Sequence, residues 1–273
     1  MIASYLLALR EGLEASLVVG IALGVLRWLR RPELTRPLWL GVASASLISF
    51  ILAVVLNQVG AKLEGAAEQA FEGLTMVLAA IVLTWMIFWM QAQGRQLRAN
   101  LEADVQRAAS GGQSWAVFSL AFLAVLREGV ETALFLTAAG MQSDAFTAFV
   151  GGLLGLATAV LLGWALFAAT IRLDLRKFFT LTGGLLLLFA AGLVAHGVHE
   201  FNELGWIPSL IEHVWDTGAV LEDSTGLGQV LRALFGYNAN PSLTEVLAYV
   251  AYLGGILLAL WRRRQPLPSP QQA

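Results

Sequence analysis

The sequence predicts an all-α integral membrane protein with seven transmembrane helices, built as two inverted three-helix repeats plus one extra C-terminal helix. The first observation is composition: 58% of the 273 residues are hydrophobic and 13% are charged, with a mean hydropathy of +0.70, which is not the composition of a soluble globule. The second is that the apolar residues form seven runs, each long enough to cross about 30 Å of hydrocarbon at about 1.5 Å per residue. The third is a charged pentapeptide that occurs in the first run and again in the fourth.

The predicted spans alternate with polar connections along the chain. They lie near residues 3–27, 37–58, 71–91, 114–139, 146–170, 178–198 and 244–261. We interpret residues 1–91 as the first three-helix repeat and 114–198 as the second. Three further segments complete the organisation: a cytoplasmic linker with helical character at 92–113, an outer loop with short helices at 199–243, and the seventh helix with a basic cytoplasmic tail at 244–273.

The basic residues predict the orientation of these spans. Most of the 17 Lys and Arg residues lie in the connections that follow the first, third, fifth and seventh spans. Alternating spans place these connections on one side of the membrane, and basic connections mark the cytoplasmic side. The N-terminus is therefore predicted to lie outside and the C-terminus in the cytoplasm.

The repeated pentapeptide places three formal charges inside each of two apolar spans. The first motif is Arg10-Glu11-Gly12-Leu13-Glu14 and the second is Arg127-Glu128-Gly129-Val130-Glu131. On a helix that advances about 100° per residue, the charged side chains of each motif share one face. Two three-span repeats that follow each other must be inverted in the membrane, and transporters built this way hold their substrate at the midplane where the halves meet.

Charges at this depth need a partner, because each costs about 2.5 to 3.5 kcal/mol at the centre of a membrane helix. We predict a metal site whose ligands come from both motifs: Glu11, Glu14, Glu128 and Glu131, with Arg10 and Arg127 offsetting part of their charge. Oxygen-only ligands favour hard or borderline cations such as iron, manganese, magnesium or calcium.

The alternative interpretation is structural. Arg10 with Glu14, and Arg127 with Glu131, would then be buried ion pairs that hold helices together. That interpretation leaves Glu11 and Glu128 without a role, and intramembrane carboxylates beyond charge balance usually mark an ion or proton pathway.

A second group of polar residues lies at the outer end of the sixth span. His196 and His199 stand four residues before Glu200 and Glu203, and Glu72 heads the third span. Mixed imidazole and carboxylate ligands suit transition metals. The group is predicted to be either an outer site that receives the metal or a hydrogen-bonded helix terminus.

Composition also excludes several classes of protein. The chain has no cysteine, which removes thiolate metal sites, iron–sulfur clusters and covalently attached haem. A net charge of −2 argues against a nucleic-acid partner. Met86 and Met90 with Trp85 and Trp89 fit packing and an interfacial aromatic belt better than a thioether copper path. We therefore expect membrane lipid around the spans, and no haem or bound organic cofactor.

The two motifs resemble the doubled Arg-Glu-x-x-Glu signature of the oxidase-dependent iron permease family, the EfeU-type bacterial proteins and their fungal relatives. The stretches His-Gly-Val-His-Glu at 196–200 and Phe-Gly-Tyr-Asn-Ala-Asn-Pro at 235–241 are also similar to that family, so the resemblance covers nearly the whole chain. It implies a high-affinity permease that imports iron across the bacterial cytoplasmic (inner) membrane, with iron as substrate. The resemblance assigns iron handling to the four motif glutamates, with the two motif arginines as their partners.

The resemblance also implies a separate periplasmic or extracellular iron oxidase or iron-delivery protein, because nothing in this chain looks like a copper oxidase or a haem site. Three alternatives stay open. The first is transport of another cation such as lead or manganese. The second is a membrane di-iron oxidase, which the absence of His from both motifs disfavours. The third is a purely structural membrane subunit.

Overall fold

The apolar runs form long helices. A computed structural model describes residues 1–93, 97–111, 113–142, 145–167, 174–218, 221 and 225–264, and within these residues the chain is helical with no strand. The helices are α1 (Ile2–Trp28), α2 (Thr35–Gly60, after a 3-10 turn at Pro32–Leu34), α3 (Ala66–Gln93), α4 (Leu97–Ser110), α5 (Ser114–Gln142), α6 (Ala145–Phe167), α7 (Leu175–Glu203), α8 (Gly226–Phe235) and α9 (Leu243–Arg264). The predicted all-α class is confirmed.

Five of these helices are long and apolar enough to cross a membrane: α2, α3, α6, α7 and α9. They make the chain a multi-pass membrane protein. Helices α1 and α5, with 27 and 29 residues, are as long but lie outside this group of five. Each of the two carries one of the charged motifs, which lowers its apolar character.

Two long helix pairs run in parallel. An added Cβ at Gly151 of α6 would lie 2.5 Å from the carbonyl oxygen of Met1, and one at Gly163 would lie 2.7 Å from Ser16 Cβ. Helix α1 therefore follows α6 in the same direction. In the same way, an added Cβ at Gly41 of α2 would lie 2.5 Å from the carbonyl oxygen of Phe118 in α5.

The third helix pair is antiparallel. An added Cβ at Gly73 of α3 would lie 3.1 Å from the carbonyl oxygen of Gly197 in α7. One at Gly183 of α7 would lie 3.5 Å from the Ile87 side chain in α3. The N-terminal part of α3 thus lies beside the C-terminal part of α7. Missing side chains at these crossings allow the backbones to approach closely.

Buried apolar residues form two main groups on either side of the motifs. The first apolar cluster joins the N-terminal part of α1 to the C-terminal part of α5, with α3 and α7; its members include Ala3, Leu7, Leu83, Phe135, Ala138, Leu186 and Phe189. The second apolar cluster joins the C-terminal part of α1 to the N-terminal parts of α2 and α5; its members include Ala22, Leu26, Leu38, Val105, Ala109 and Val117. Helices α1 and α5 therefore run in opposite directions, with their motifs between the two clusters.

The polar connecting segments are also packed. Val105 and Ala109 of α4 are each 1% exposed and belong to the second apolar cluster, so one face of the linker helix packs on α1 and α5. The irregular chain after α7 is tied to the segment before α9, because Val214 N donates to Pro241 O at 3.0 Å and Thr217 N donates to Ala239 O at 2.9 Å.

Candidate metal centre

The first motif lies on α1 and the second on α5, and both present carboxylates to the protein interior. Glu11 is 0% exposed, Glu14 6%, Glu128 3% and Glu131 7%. An ionised carboxylate loses its hydration when it is buried, and hydrogen bonds, an opposite charge or a bound ion compensate for that loss. Every ionised carboxylate of the two motifs therefore depends on a partner.

Three of the four carboxylates converge. Oxygens of Glu11, Glu128 and Glu131 all lie within 4.8 Å of one another. Two oxygens bound to the same cation at about 2.0 to 2.6 Å lie at most about 5 Å apart, so one ion could contact all three side chains. Among the residues that the structure describes, Glu11, Glu128 and Glu131 are the three possible metal ligands that lie this close together. Glu14 is buried beside them but does not belong to this group.

The two arginines are arranged differently. Arg10 lies in the interior, with its Nε 3.3 Å from Glu14 Oε1 and its Nη1 3.8 Å from Glu11 Oε1. Arg127 donates to Glu128 Oε1 through Nε at 3.1 Å and Nη2 at 2.5 Å, and its Nε lies 3.7 Å from Glu131 Oε1. The Arg10 side chain is 2% exposed, whereas that of Arg127 is 44% exposed. The centre is therefore more open on the Arg127 side.

Many of the buried oxygens have no hydrogen-bond partner among the described residues. These are both oxygens of Glu11, Oε1 of Glu14, Oε2 of Glu128 and Oε2 of Glu131. An unsatisfied buried acceptor costs about 1 to 3 kcal/mol, and more when it is charged. A cation between these side chains would satisfy the oxygens that the arginines leave free.

The motif glycines allow the motif helices to approach their neighbours. An added Cβ at Gly12 would lie 2.7 Å from Ala159 Cβ on α6, and one at Gly129 would overlap the Ser49 hydroxyl on α2. The small residue inside each motif therefore packs against the second helix of the other predicted repeat. This close packing fixes the height of the carboxylates on each side.

Helix α3 supplies two contacts that sequence reasoning missed. Arg10 Nη2 donates to Met90 Sδ at 3.2 Å, and Arg127 Cζ lies 5.1 Å from the centre of the Trp89 ring. The sequence interpretation assigned Trp89 and Met90 to packing and an aromatic belt. Their spacing along α3 gave no signal of these contacts, since the arginines lie on other helices.

The predicted outer group is arranged around His199. Its Nδ1 lies 3.0 Å from Glu245 Oε1 and its Nε2 lies 3.3 Å from Glu203 Oε1. Glu245 also accepts hydrogen bonds from Asn238 Nδ2 at 2.8 Å and from Ser242 N at 3.0 Å. This network joins α7 to α9, and Glu245 is a member that sequence reasoning did not single out.

The other residues of the outer group are arranged separately. His196 Nδ1 lies 3.0 Å from the carbonyl oxygen of Gly192, one turn earlier in α7. Glu200 interacts electrostatically with Glu72 of α3 and with Glu203. Within the described chain, the five residues do not form one compact set of metal ligands as the motif glutamates do.

Comparison with known proteins places these features in a family context. A family model described as the iron permease FTR1 family matches residues 1–263. The ferrous iron permeases EfeU of Escherichia coli O157:H7 and Shigella sonnei (strain Ss046) are each 36% identical over 261 residues, covering 95% of this chain and 95% of the relative. The ferrous iron permease EfeU of Yersinia pestis is 34% identical over 255 residues, covering 93% of this chain and 90% of the relative. No solved structure matches the chain.

Proposed function

The chain belongs to the iron permease FTR1 family, and from that premise we propose that it imports iron across the bacterial cytoplasmic membrane through the centre between its two motifs. Iron is the substrate transported by this permease family. The observation that carries the proposed site is the convergence of Glu11, Glu128 and Glu131 from two oppositely directed helices. Their unpaired oxygens offer a cation the ligands that the protein itself leaves unused.

The charge of the centre favours a cation with at least two charges. Four carboxylates face two guanidinium groups, so the empty centre is repulsive when all six groups are ionised, and a divalent ion would neutralise it. Carboxylate oxygens are suitable ligands for ferrous iron. The curated relatives are called ferrous iron permeases, and we extend iron as the substrate to this chain.

We further propose that α1–α3 and α5–α7 are the two inverted repeats, and that α9 is a seventh span. The symmetry of the helix pairs supports this arrangement: α1 follows α6, α5 follows α2, and α3 crosses α7 antiparallel. The contacts of Gly41 with Phe118 and of Gly151 with Met1 are equivalent under exchange of the two halves. With basic connections inside, the N-terminus lies outside and the C-terminus in the cytoplasm.

Transport then requires the centre to open alternately to the two sides. Leu7 and Phe135 are both 0% exposed and lie one helical turn from Glu11 and Glu131, towards the outer end of both helices. In this arrangement they close the outer approach. The second apolar cluster lies on the opposite, cytoplasmic side of the motifs. Motion of one repeat against the other would open the centre to the two sides in turn.

An iron oxidase or iron-delivery protein outside the membrane would supply the ion, as in the oxidase-dependent permeases that the motifs resemble. The outer group lies towards that side in the proposed orientation. It consists of three acidic residues and two histidines: Glu72, Glu200, Glu203, His196 and His199. We propose this region as the place where the delivered ion first meets the protein. Its charge would raise the local concentration of cations.

Uptake of radioactive iron by the full-length protein in proteoliposomes tests the proposed function. Glu11→Gln and Glu128→Gln are expected to reduce the initial rate at least about tenfold, because each removes a charged ligand of the ion, while the amount of protein in the vesicles stays the same. Glu102→Gln on the linker helix is the matched control. Normal uptake by both motif variants would contradict the assigned site. Strong competition by manganese or lead at a concentration equal to that of iron would contradict iron selectivity.

A further inference from the structure

One turn of α3 touches the arginines of both motifs, although it contributes no charge to the metal centre. Met90 Sδ accepts a hydrogen bond from Arg10 Nη2 at 3.2 Å, and the ring of Trp89 lies 5.1 Å from Arg127 Cζ. A cation within about 6 Å of an indole face is attracted by the ring quadrupole. Two adjacent residues thus contact guanidinium groups that belong to two other helices.

The Met90 contact concerns the position of the Arg10 guanidinium group relative to the Glu11 carboxylate. Arg10 and Glu11 are both buried, yet Arg10 Nη1 stays 3.8 Å from Glu11 Oε1 and donates no hydrogen bond to it. A charge-assisted hydrogen bond between these groups would have a length of about 2.7 to 2.9 Å. The third guanidinium nitrogen, Nη2, donates to the Met90 sulfur, and among the described residues neither oxygen of Glu11 accepts a hydrogen bond.

The Trp89 contact limits the second arginine in a similar way. Both hydrogen bonds of Arg127 go to one oxygen of Glu128, and Oε2 of Glu128 stays without a partner. The Arg127 side chain is 44% exposed, and the Trp89 ring contacts its guanidinium group in addition to Glu128 and Glu131. The attraction to the indole face limits how far this group can turn.

We propose that Trp89 and Met90 are positioning residues for iron binding, which hold the two motif arginines in place so that carboxylate oxygens of both motifs stay available to the ion. This inference rests on the proposed iron import. Without these contacts each guanidinium group is free to turn towards the unpaired oxygens of its own motif. The guanidinium group then competes with iron for these carboxylate oxygens, and a higher iron concentration is needed to fill the centre.

The chain offers matched controls for both residues. Met86 lies one turn before Met90 on the same helix and is buried in the first apolar cluster. Trp164 of α6 is 72% exposed, and no arginine of the described residues lies over its ring. Methionine-to-leucine substitution conserves volume at both methionines, so a difference between them reports the sulfur contact.

The experiment measures the initial rate of radioactive iron uptake against iron concentration, with the full chain in proteoliposomes. Met90→Leu and Trp89→Leu are expected to raise the half-saturating iron concentration about three- to tenfold, with the maximal rate per protein changed less than twofold. Met90→Gln restores an acceptor and is expected to return the value to within about twofold of the unmodified protein. Met86→Leu and Trp164→Leu are expected to leave it unchanged.

The conservative pair Trp89→Phe and Trp164→Phe keeps a ring at each position and carries the test if the leucine variants are lost from the vesicles. Phenylalanine attracts a cation less than tryptophan does, so an increase of about twofold is expected at position 89 and none at 164. Variants at 89 and 90 that behave like their controls, or a fall in maximal rate alone, would overturn the positioning role. Absence of iron uptake by the unmodified protein would instead contradict the proposed function.

Discussion

Glu11 is the residue at which the charge of the centre is least balanced. It is 0% exposed, and within the described chain its two oxygens have no hydrogen-bond partner and its nearest arginine nitrogen lies at 3.8 Å. A purely structural ion pair would place the two groups in direct hydrogen-bonding contact. The geometry of this residue therefore favours a bound ion over a structural ion pair.

His199 differs from Glu11 in having protein partners for both of its polar atoms, because each of its ring nitrogens faces a carboxylate. The Glu245 side chain is 4% exposed, whereas that of Glu203 is 50% exposed. Glu245→Gln is expected to reduce the free energy of unfolding by about 1.5 to 3 kcal/mol, since it removes a buried charge-assisted hydrogen bond. Glu203→Gln, the matched control at the exposed end, should cost less than about 1 kcal/mol.

Thermal unfolding of the purified protein in detergent, with uptake measured in parallel, checks the role of this pair. The half-saturating iron concentration is expected to stay unchanged in Glu245→Gln while the unfolding temperature falls. A Glu245→Gln variant with unchanged unfolding and much weaker iron uptake would show that Glu245 handles the ion rather than stabilising the fold.

The sequence could predict the motif residues but not the residues on other helices that contact the charged side chains. Charged side chains inside an apolar run are visible in the sequence because the membrane makes them costly. Met90 and Glu245 carry no such signal: the contact from Arg10 to Met90 spans eighty positions, and Glu245 heads a helix, where an acidic residue is ordinary. Only the packing of the helices brings these residues to their partners.

The helices α1 and α5 are held against α6 and α2 by close contacts at small residues. Gly12 meets Ala159 on α6, and Gly129 meets Ser49 on α2. A strip of small residues allows such an approach, and dispersion between the closely packed helices then stabilises it. The position of both motifs thus depends on the second helix of the other half.

Gly12→Ala is expected to reduce the free energy of unfolding by about 1 to 3 kcal/mol, because its new Cβ would lie 2.7 Å from Ala159 Cβ. The second substitution Ala159→Gly removes that atom and is expected to restore most of the loss. Gly24→Ala, in the same helix, should be neutral or slightly stabilising, because an added Cβ there would meet no other described residue within 4 Å.

Denaturation in detergent of the single and double variants measures these differences. Equal effects of Gly12→Ala and Gly24→Ala, or no recovery in the double variant, would contradict the close packing of α1 on α6. Iron uptake by Gly12→Ala should fall together with stability and recover with it.

The long helices themselves were largely predictable, because hydrophobic runs bounded by charges mark their extent. The predicted spans near 37–58 and 71–91 lie within α2 and α3, which end a few residues beyond them. The parallel pairing of α1 with α6 was not predictable in this way. Gly and Ala are frequent throughout the spans, and their spacing does not specify which helix they will meet.

Across the whole molecule, two apolar clusters enclose one charged layer. The first cluster includes Leu7 and Phe135, and the second surrounds the opposite ends of α1 and α5 with α4. Because water is excluded on the side of the first cluster, electrostatic attraction between the carboxylates and a cation is stronger there than in solution. A centre at the meeting of the two halves is also where their relative motion would change access.

Anomalous scattering at the iron edge, from crystals of the full chain prepared with ferrous iron, tests the central proposal most directly. We expect an iron peak within about 2.0 to 2.6 Å of oxygens from Glu11, Glu128 and Glu131 together. The peak should disappear in crystals of Glu11→Gln. Iron bound only around His199 and Glu203, with the motif carboxylates of the two helices facing separate surroundings, would contradict it.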